Sequence, residues 1–285
     1  MSNTYISVPN FNPVFFSICN VSIHWYGVMY LLGFAFISSR RNILMQKIGL
    51  KKIEVDNLLY FSFFGLFIGG RIGYIFFYNP LFFFKNILCV FKVWEGGMSF
   101  HGGLLGVILV IFYFSRKFKK NFFLISDLFA PLVPVGLGLG RIGNFINGEL
   151  FGRVAPEFYF SFLFPTSRNI DVEISKHNLY FQILINKFGV LPRHPSQIYE
   201  FFLEGVILFV ILYFFSKKIK VVGIISSMFL ILYGCFRIIV EFFREPDRQL
   251  GLLLNFFTMG QVLSIPMIIF GFINIIKCYS NKKTL

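Results

Sequence analysis

Seven stretches of about 20 mostly apolar residues run along this chain, each near the length an α-helix needs to cross bilayer hydrocarbon. They fall at approximately 19–39, 57–79, 98–114, 122–140, 198–215, 221–243 and 256–276. That pattern excludes a soluble domain. It also accounts for a chain of 285 residues with 43 Phe and only 14% charged residues, where soluble domains carry about 25%. Lipid must be the solvent for much of the surface, because no single core of this size encloses so many aromatic rings. Cys19, Cys89, Cys235 and Cys278 have neither CxxC nor close spacing, so they read as thiols and not as a disulfide framework.

A net charge of +14 raises the question of nucleic acid, and the positions of the charges answer it. Basic clusters follow the first stretch (Arg40, Arg41, Lys47, Lys51, Lys52), the third (Arg116, Lys117, Lys119, Lys120), the fifth (Lys217, Lys218, Lys220) and the seventh (Lys277, Lys282, Lys283). By the positive-inside rule these ends face the cytoplasm, which puts the amino terminus outside and the carboxyl terminus inside. No nucleic-acid partner is needed to explain the charge. Residues 1–20 carry no Lys or Arg, so the basic start of a cleavable signal peptide is missing and the first helix is expected to be retained. With no internal repeat or low-complexity linker, the reading is an all-α integral membrane protein. Its 1–285 form one polytopic domain of about seven transmembrane helices. The long connection at about 141–197 between helices 4 and 5 forms an outer-side loop subdomain, with a strand or two near 157–164.

Ionisable groups inside the spans point to chemistry, because each costs roughly 2.5–3.5 kcal/mol to insert and must find a partner. Tyr233, Arg237, Glu241 and Arg244 share one helical stripe, and Arg237 and Glu241 can pair at i, i+4. The alternative for that pair, weaker than a functional role, is self-neutralisation that pins helix packing, and for Arg71 the two readings stand about level. Near the start of the third stretch, Trp94-Glu95-Gly96-Gly97 precedes His101-Gly102-Gly103. Those glycines would admit a helix, a head group or unwound backbone, beside a histidine that either packs or exchanges a proton. His24-Trp25-Tyr26-Gly27 reads as an interfacial belt. The densest set runs from Gly140 to Arg153: Arg141, Asn144, Asn147, Glu149, Gly152 and Arg153 leave an apolar span among glycines. Turn-forming amides beside planar guanidiniums suit phosphate oxygens, without the GxxxxGK of a nucleotide loop. Finally, Leu191-Pro192-Arg193-His194-Pro195-Ser196-Gln197-Ile198-Tyr199-Glu200 leads into the fifth stretch, with Ser196 as a cap and Tyr199 and Glu200 in the first turn.

Together these blocks resemble the bacterial prolipoprotein diacylglyceryl transferases. Gly140 to Gly152 fits that family's signature at every fixed position, and the blocks around Tyr26, His101, His194 and Arg237–Arg244 are similar to it. Only about 155–190 is left uncovered. The resemblance implies a seven-helix inner-membrane enzyme that moves the diacylglyceryl group of phosphatidylglycerol onto the lipobox cysteine of a prolipoprotein. A thioether forms and glycerol phosphate leaves. It further implies that Tyr26, His101, Arg141, Asn144, Glu149, Gly152, Arg237 and Glu241 serve activity. His101 is the candidate base, and Arg141 and Arg237 are the candidate cations for the departing phosphate. Glu149 and Glu241 would orient those cations or bind head-group hydroxyls, Asn144 would hold the head group, and Tyr26 would close the site. The nucleophile comes from the substrate, and neither a metal nor a soluble cofactor is implied. The expected partners are phosphatidylglycerol, the prolipoprotein signal peptide and membrane lipid. Two rivals stand beside this: a phospholipid flippase or anion transporter, which moves substrate without covalent change, and a membrane scaffold locked by polar pairs.

Overall fold

The computed structural model describes residues 5–18, 21–78, 97–246, 251 and 256–280. Cys19, Cys89 and Trp94-Glu95-Gly96 lie outside them. Short strands β1 (Ile6–Ser7), β2 (Val14–Ile18) and β3 (Val21–His24) precede the helices α1 (Trp25–Ser39), α2 (Arg41–Ile48), α3 (Lys52–Tyr78), α4 (Phe100–Lys117), α5 (Phe122–Phe129) and α6 (Val133–Ile146). Next come β4 (Phe162–Leu163), α7 (Arg168–Ser175), α8 (Leu179–Phe188) and β5 (Pro192–Arg193). The long helices α9 (Ser196–Lys218), α10 (Ile224–Glu241) and α11 (Met259–Ser280) complete the chain.

Five of these, α3, α4, α9, α10 and α11, are long and apolar enough to span a membrane, and α5 and α6, bent by 43° between them, count as a sixth if the pair is one broken span rather than a re-entrant loop. The protein is therefore an all-helical, multi-pass membrane protein. The first expected span differs: Val21–His24 form strand β3, paired antiparallel with β2, which leaves a 15-residue helix about 22 Å long.

The described residues divide into two compact units, each assembled from three separate stretches of sequence. One comprises the described residues of Met1–Gly33, Pro134–Phe209 and Cys235–Pro246, the other those of Phe34–Val133, Val210–Gly234 and Asp247–Leu285.

In the second unit the glycines of α3 and α4 form a seam. A Cβ on Gly102 would lie 2.7 Å from the Gly73 Cα, and one on Gly106 would lie 2.7 Å from the Gly65 carbonyl carbon. Only bare backbones fit there, the usual way for membrane helices to gain dispersion contact. The glycines after His101 thus admit a helix. Ser99 caps α4 by accepting from the Gly102 N–H at 3.3 Å. Behind the seam, Leu44, Val55, Leu58, Ile111, Phe114, Ile125 and Phe129 pack as a core. Away from it, Phe61, Phe64, Ile68, Ile72 and Phe76 stand exposed along one stripe of α3, as acyl chains require. Arg71, buried on the same helix, donates to the Gly97 carbonyl at 3.3 Å. Buried Asp127 of α5 accepts from Gly223 N at 2.5 Å and Ser226 N at 2.7 Å, which satisfies orphan donors at the start of α10.

In the first unit the connection after α6 is a small α/β layer. β4 pairs parallel with β1 (Ile6↔Phe162) and antiparallel with β5 (Phe162↔Arg193). The strand expected near 157–164 shrinks to two residues, and α7 and α8 occupy a region the sequence left unread. Asn178 caps α8, and Gly189 ends it with φ +81°, a left-handed conformation that suits glycine.

Candidate active site

In the first unit one close approach of helices organises the polar residues. A Cβ on Gly205 of α9 would lie 2.8 Å from the Gly138 Cα of α6, so the two backbones touch. Arg141 follows one turn after Gly138, and Glu204 adjoins Gly205. Hence Arg141 reaches across: NH2 lies 3.1 Å from Glu204 Oε2 and NH1 lies 3.2 Å from Glu200 Oε2. The stretch of α9 carrying these acids, Phe201–Ile207, is wound as a π-helix, a form common at functional sites.

The last turn or so of α10 and the residues just after it supply the other cations, Arg237 and Arg244. Arg237 bonds the second oxygen of the same Glu200 carboxylate, and its NH2 lies 2.5 Å from Glu241 Oε1 at i, i+4. Arg244 approaches Glu200 at 3.4 Å and Glu241 at 3.7 Å. Three guanidiniums thus interlock with three carboxylates, and Glu200 and Glu204 are fully buried. Burying charge this deeply is tolerated because each ion faces an opposite one.

The Gly140–Arg153 segment forms a tight loop beside Arg141. Arg141 contacts Asn144 Oδ1 at 3.5 Å, Asn144 Nδ2 donates to Glu149 at 2.9 Å, and Asn147 donates to the same oxygen at 3.3 Å. Gly148 has φ +63°, and Leu150, which is not glycine, has φ +59°. Such backbone costs about 1–3 kcal/mol and persists where neighbours over-determine it. Those neighbours come from the Arg193–Gln197 block: Ser196 Oγ donates to the Leu150 carbonyl and Gln197 Nε2 to the Glu149 carbonyl, both at 2.7 Å. Ser196 therefore does not cap α9 with its side chain, as the sequence suggested; Pro195 is the cap residue, and the Ser196 hydroxyl is committed to the loop. Gly152 leaves no room for a side chain, since a Cβ there would lie 2.6 Å from the His194 Cβ and 2.7 Å from the Phe243 carbonyl oxygen.

Arg193, fully buried, holds the far side of this loop. It donates to Asp171 through Nε at 2.8 Å and to the Gly152 carbonyl through NH1 at 2.9 Å. His194 shares a 3.1 Å hydrogen bond with Tyr199, and burial lowers its imidazole pKa below the usual 6.5.

Tyr26, in the first turn of α1, hydrogen-bonds Tyr30 at 3.1 Å and lies against the backbone of Gly143. Tyr30 is within electrostatic reach of Arg141 and Glu149. Tyr26, Arg141, Asn144, Glu149, Gly152, Arg237 and Glu241 all belong to this unit, whereas His101 belongs to the other. Sequence reasoning left out Glu204 and Tyr30 and treated Glu200 as a first-turn residue. The available signal was the two acids four apart in an apolar helix, where the cost of insertion demands a partner for each.

A family model described as prolipoprotein diacylglyceryl transferase matches residues 13–277. A phosphatidylglycerol–prolipoprotein diacylglyceryl transferase of Buchnera aphidicola subsp. Baizongia pistaciae is 60% identical over 275 residues, covering 96% of this chain and 98% of the relative. Proteins of the same name from Serratia proteamaculans and Wigglesworthia glossinidia brevipalpis are 54% and 55% identical, covering 99% and 97% of this chain and 98% and 99% of their own lengths. With a match this long, the chain belongs to the prolipoprotein diacylglyceryl transferase family.

Proposed function

We propose that this chain is a membrane transferase that moves the diacylglyceryl group of phosphatidylglycerol onto a prolipoprotein, as the names of its relatives state for them. The acceptor is the lipobox cysteine thiol, the product is a thioether, and glycerol phosphate departs. One observation carries the assignment of the site: Arg141 and Arg237 meet on opposite oxygens of the single Glu200 carboxylate.

A thiol of pKa about 8.5 must lose its proton before its sulfur attacks carbon. His101 is our candidate to accept that proton, since imidazole exchanges protons near neutral pH. As the carbon–oxygen bond breaks, its electron pair leaves with the phosphate, which gains a negative charge. Arg141 and Arg237 stabilise that charge. Glu200, Glu204 and Glu241 hold the guanidiniums in place beforehand, so little reorganisation is needed in the transition state. Asn144 and Glu149 bind the glycerol head, and Tyr26 flanks it. Gly152 lets the loop that carries Asn144 and Glu149 close against His194 and Phe243. In this reading the chain crosses the inner membrane seven times, with its amino terminus outside, its carboxyl terminus in the cytoplasm and the insertion 141–197 on the outer side. Four basic clusters following alternate spans support that orientation. Neither a metal nor a soluble cofactor takes part in the scheme.

Reconstitution with labelled phosphatidylglycerol and a lipobox peptide tests the reading. Lipidated peptide and glycerol phosphate are expected in equal amounts. Neither product, in the presence of an active homologue as control, would end it, and movement of intact lipid across the bilayer would favour a transporter.

A further inference from the structure

The turn between α4 and α5 has a shape that the rule of basic cytoplasmic ends does not require. That rule asks only for positive charge. Here the charge lines a groove. The α4 helix ends on Arg116 and Lys117, and the chain reverses through Lys119 at φ +51°, a left-handed conformation unusual for a residue with a side chain. Lys120 N then donates back to the Ser115 carbonyl at 2.9 Å, and the Asn121 side chain caps α5 by accepting from Phe123 N at 2.9 Å. The result is an open groove of about 620 Å³ lined by Arg116, Lys119 and Lys120 together with Phe112, Phe122 and Phe123.

No Asp or Glu occurs between Val107 and Ser126, so this stretch of sequence supplies no counter-charge to those three cations. The Arg116 guanidinium stacks over Phe112 at 5.1 Å, and Phe112 meets Phe122 edge-on at 6.3 Å, which fixes the aromatic wall. Above the groove, Leu105, Leu109 and Phe112 stand exposed at i, i+4 and i+7 on one face of α4. That face forms an apolar track leading to a basic cup, the profile of a phospholipid with its acyl chain along the helix and its phosphate below. A free phosphate would use the cup and leave the track idle. Arg116 lies 15 residues beyond His101 along α4, about 22 Å away, so the cup is at the other end of the helix from the candidate base.

We propose that the α4–α5 turn binds the phosphate head group of an anionic phospholipid drawn from the surrounding bilayer, at a second lipid site separate from the transferase chemistry.

The test compares the full chain with the triple variant Arg116→Gln, Lys119→Gln, Lys120→Gln and with a control of equal charge loss, Lys217→Gln, Lys218→Gln, Lys220→Gln. Retention of phosphatidic acid against phosphatidylcholine is read by native mass spectrometry of the detergent-solubilised protein. The first triple is expected to lose one bound phosphatidic acid, with affinity lower by roughly 100-fold, while the control keeps it. Equal retention by all three proteins, or equal loss in both triples, would overturn the proposal. Displacement of the lipid by millimolar inorganic phosphate would also overturn it, by pointing to a free-anion site. A second measurement needs no variant: phosphatidic acid with a photoreactive acyl chain should label the 105–123 segment of the unaltered protein, and absence of label there counts against the site.

Discussion

Two buried ionic networks in the same unit are built on opposite plans. In the insertion, Asp171 is saturated: Oδ1 accepts from Arg193 Nε and NH2, while Oδ2 accepts from Ser167 Oγ at 2.5 Å and Leu191 N at 2.9 Å. At the candidate site, one Glu200 carboxylate serves Arg141, Arg237 and Arg244 together. There Glu200 Oε2 and Glu204 Oε1 accept no well-aligned hydrogen bond among the described residues, although Arg141 and Arg237 lie in ion-pair range at 3.2 and 3.7 Å. A network whose every valence is filled fixes a shape. Shared carboxylates with spare capacity hold cations that can exchange partners when an anion arrives.

If that contrast is right, the two networks should fail differently. The largest effect is expected for Asp171→Ala, which leaves the enclosed Arg193 with only Glu245 and the Gly152 carbonyl as partners and should cost about 3–5 kcal/mol, read as a large fall in melting temperature and in folded yield. An unchanged melting temperature would break the contrast from the structural side. Arg141→Lys keeps the charge and loses the planar fork, so transferase activity should drop about 10²- to 10³-fold while the melting temperature changes little. Loss of folding instead would make the site a second structural network. Gly205→Ala pushes a methyl group against the Gly138 backbone and should cost about 1–3 kcal/mol, with activity falling in parallel as Arg141 is moved from Glu204. The smallest effect concerns His194. Its folded pKa lies below the unfolded value of 6.5, so the unfolded chain takes up the proton first, and stability is lost as pH falls through 6.5. Melting temperatures between pH 7.5 and 5.5 should show this slope, and His194→Gln should flatten it.

Local spacing made the Arg237–Glu241 pair legible, because i, i+4 neighbours meet on any helix. Apolar length likewise revealed the spans from α3 onward, since bilayer thickness sets it. The partners of Arg141 were not legible. Glu204 is 63 residues away and becomes its neighbour only because Gly138 and Gly205 let two helices touch, a fact no local pattern contains. The roles of Ser196 and Gln197 were hidden for the same reason. Ser196 looks like a helix cap in sequence, yet it and Gln197 spend their side chains on backbone 46 and 48 positions upstream. The insertion was illegible because its buried groups pair through Asp171 and Arg193 and its strands are two residues long, too short for alternation to register.

The wide-wound stretch Phe201–Ile207 sets the angular phase of everything on its amino-terminal side. Wound as an ordinary α-helix with no residue removed, the same stretch would turn Glu200 by about 100° around the axis, leaving length and greasiness nearly untouched. Such a protein would still insert like its parent, with the anchor of its arginines facing the wrong way.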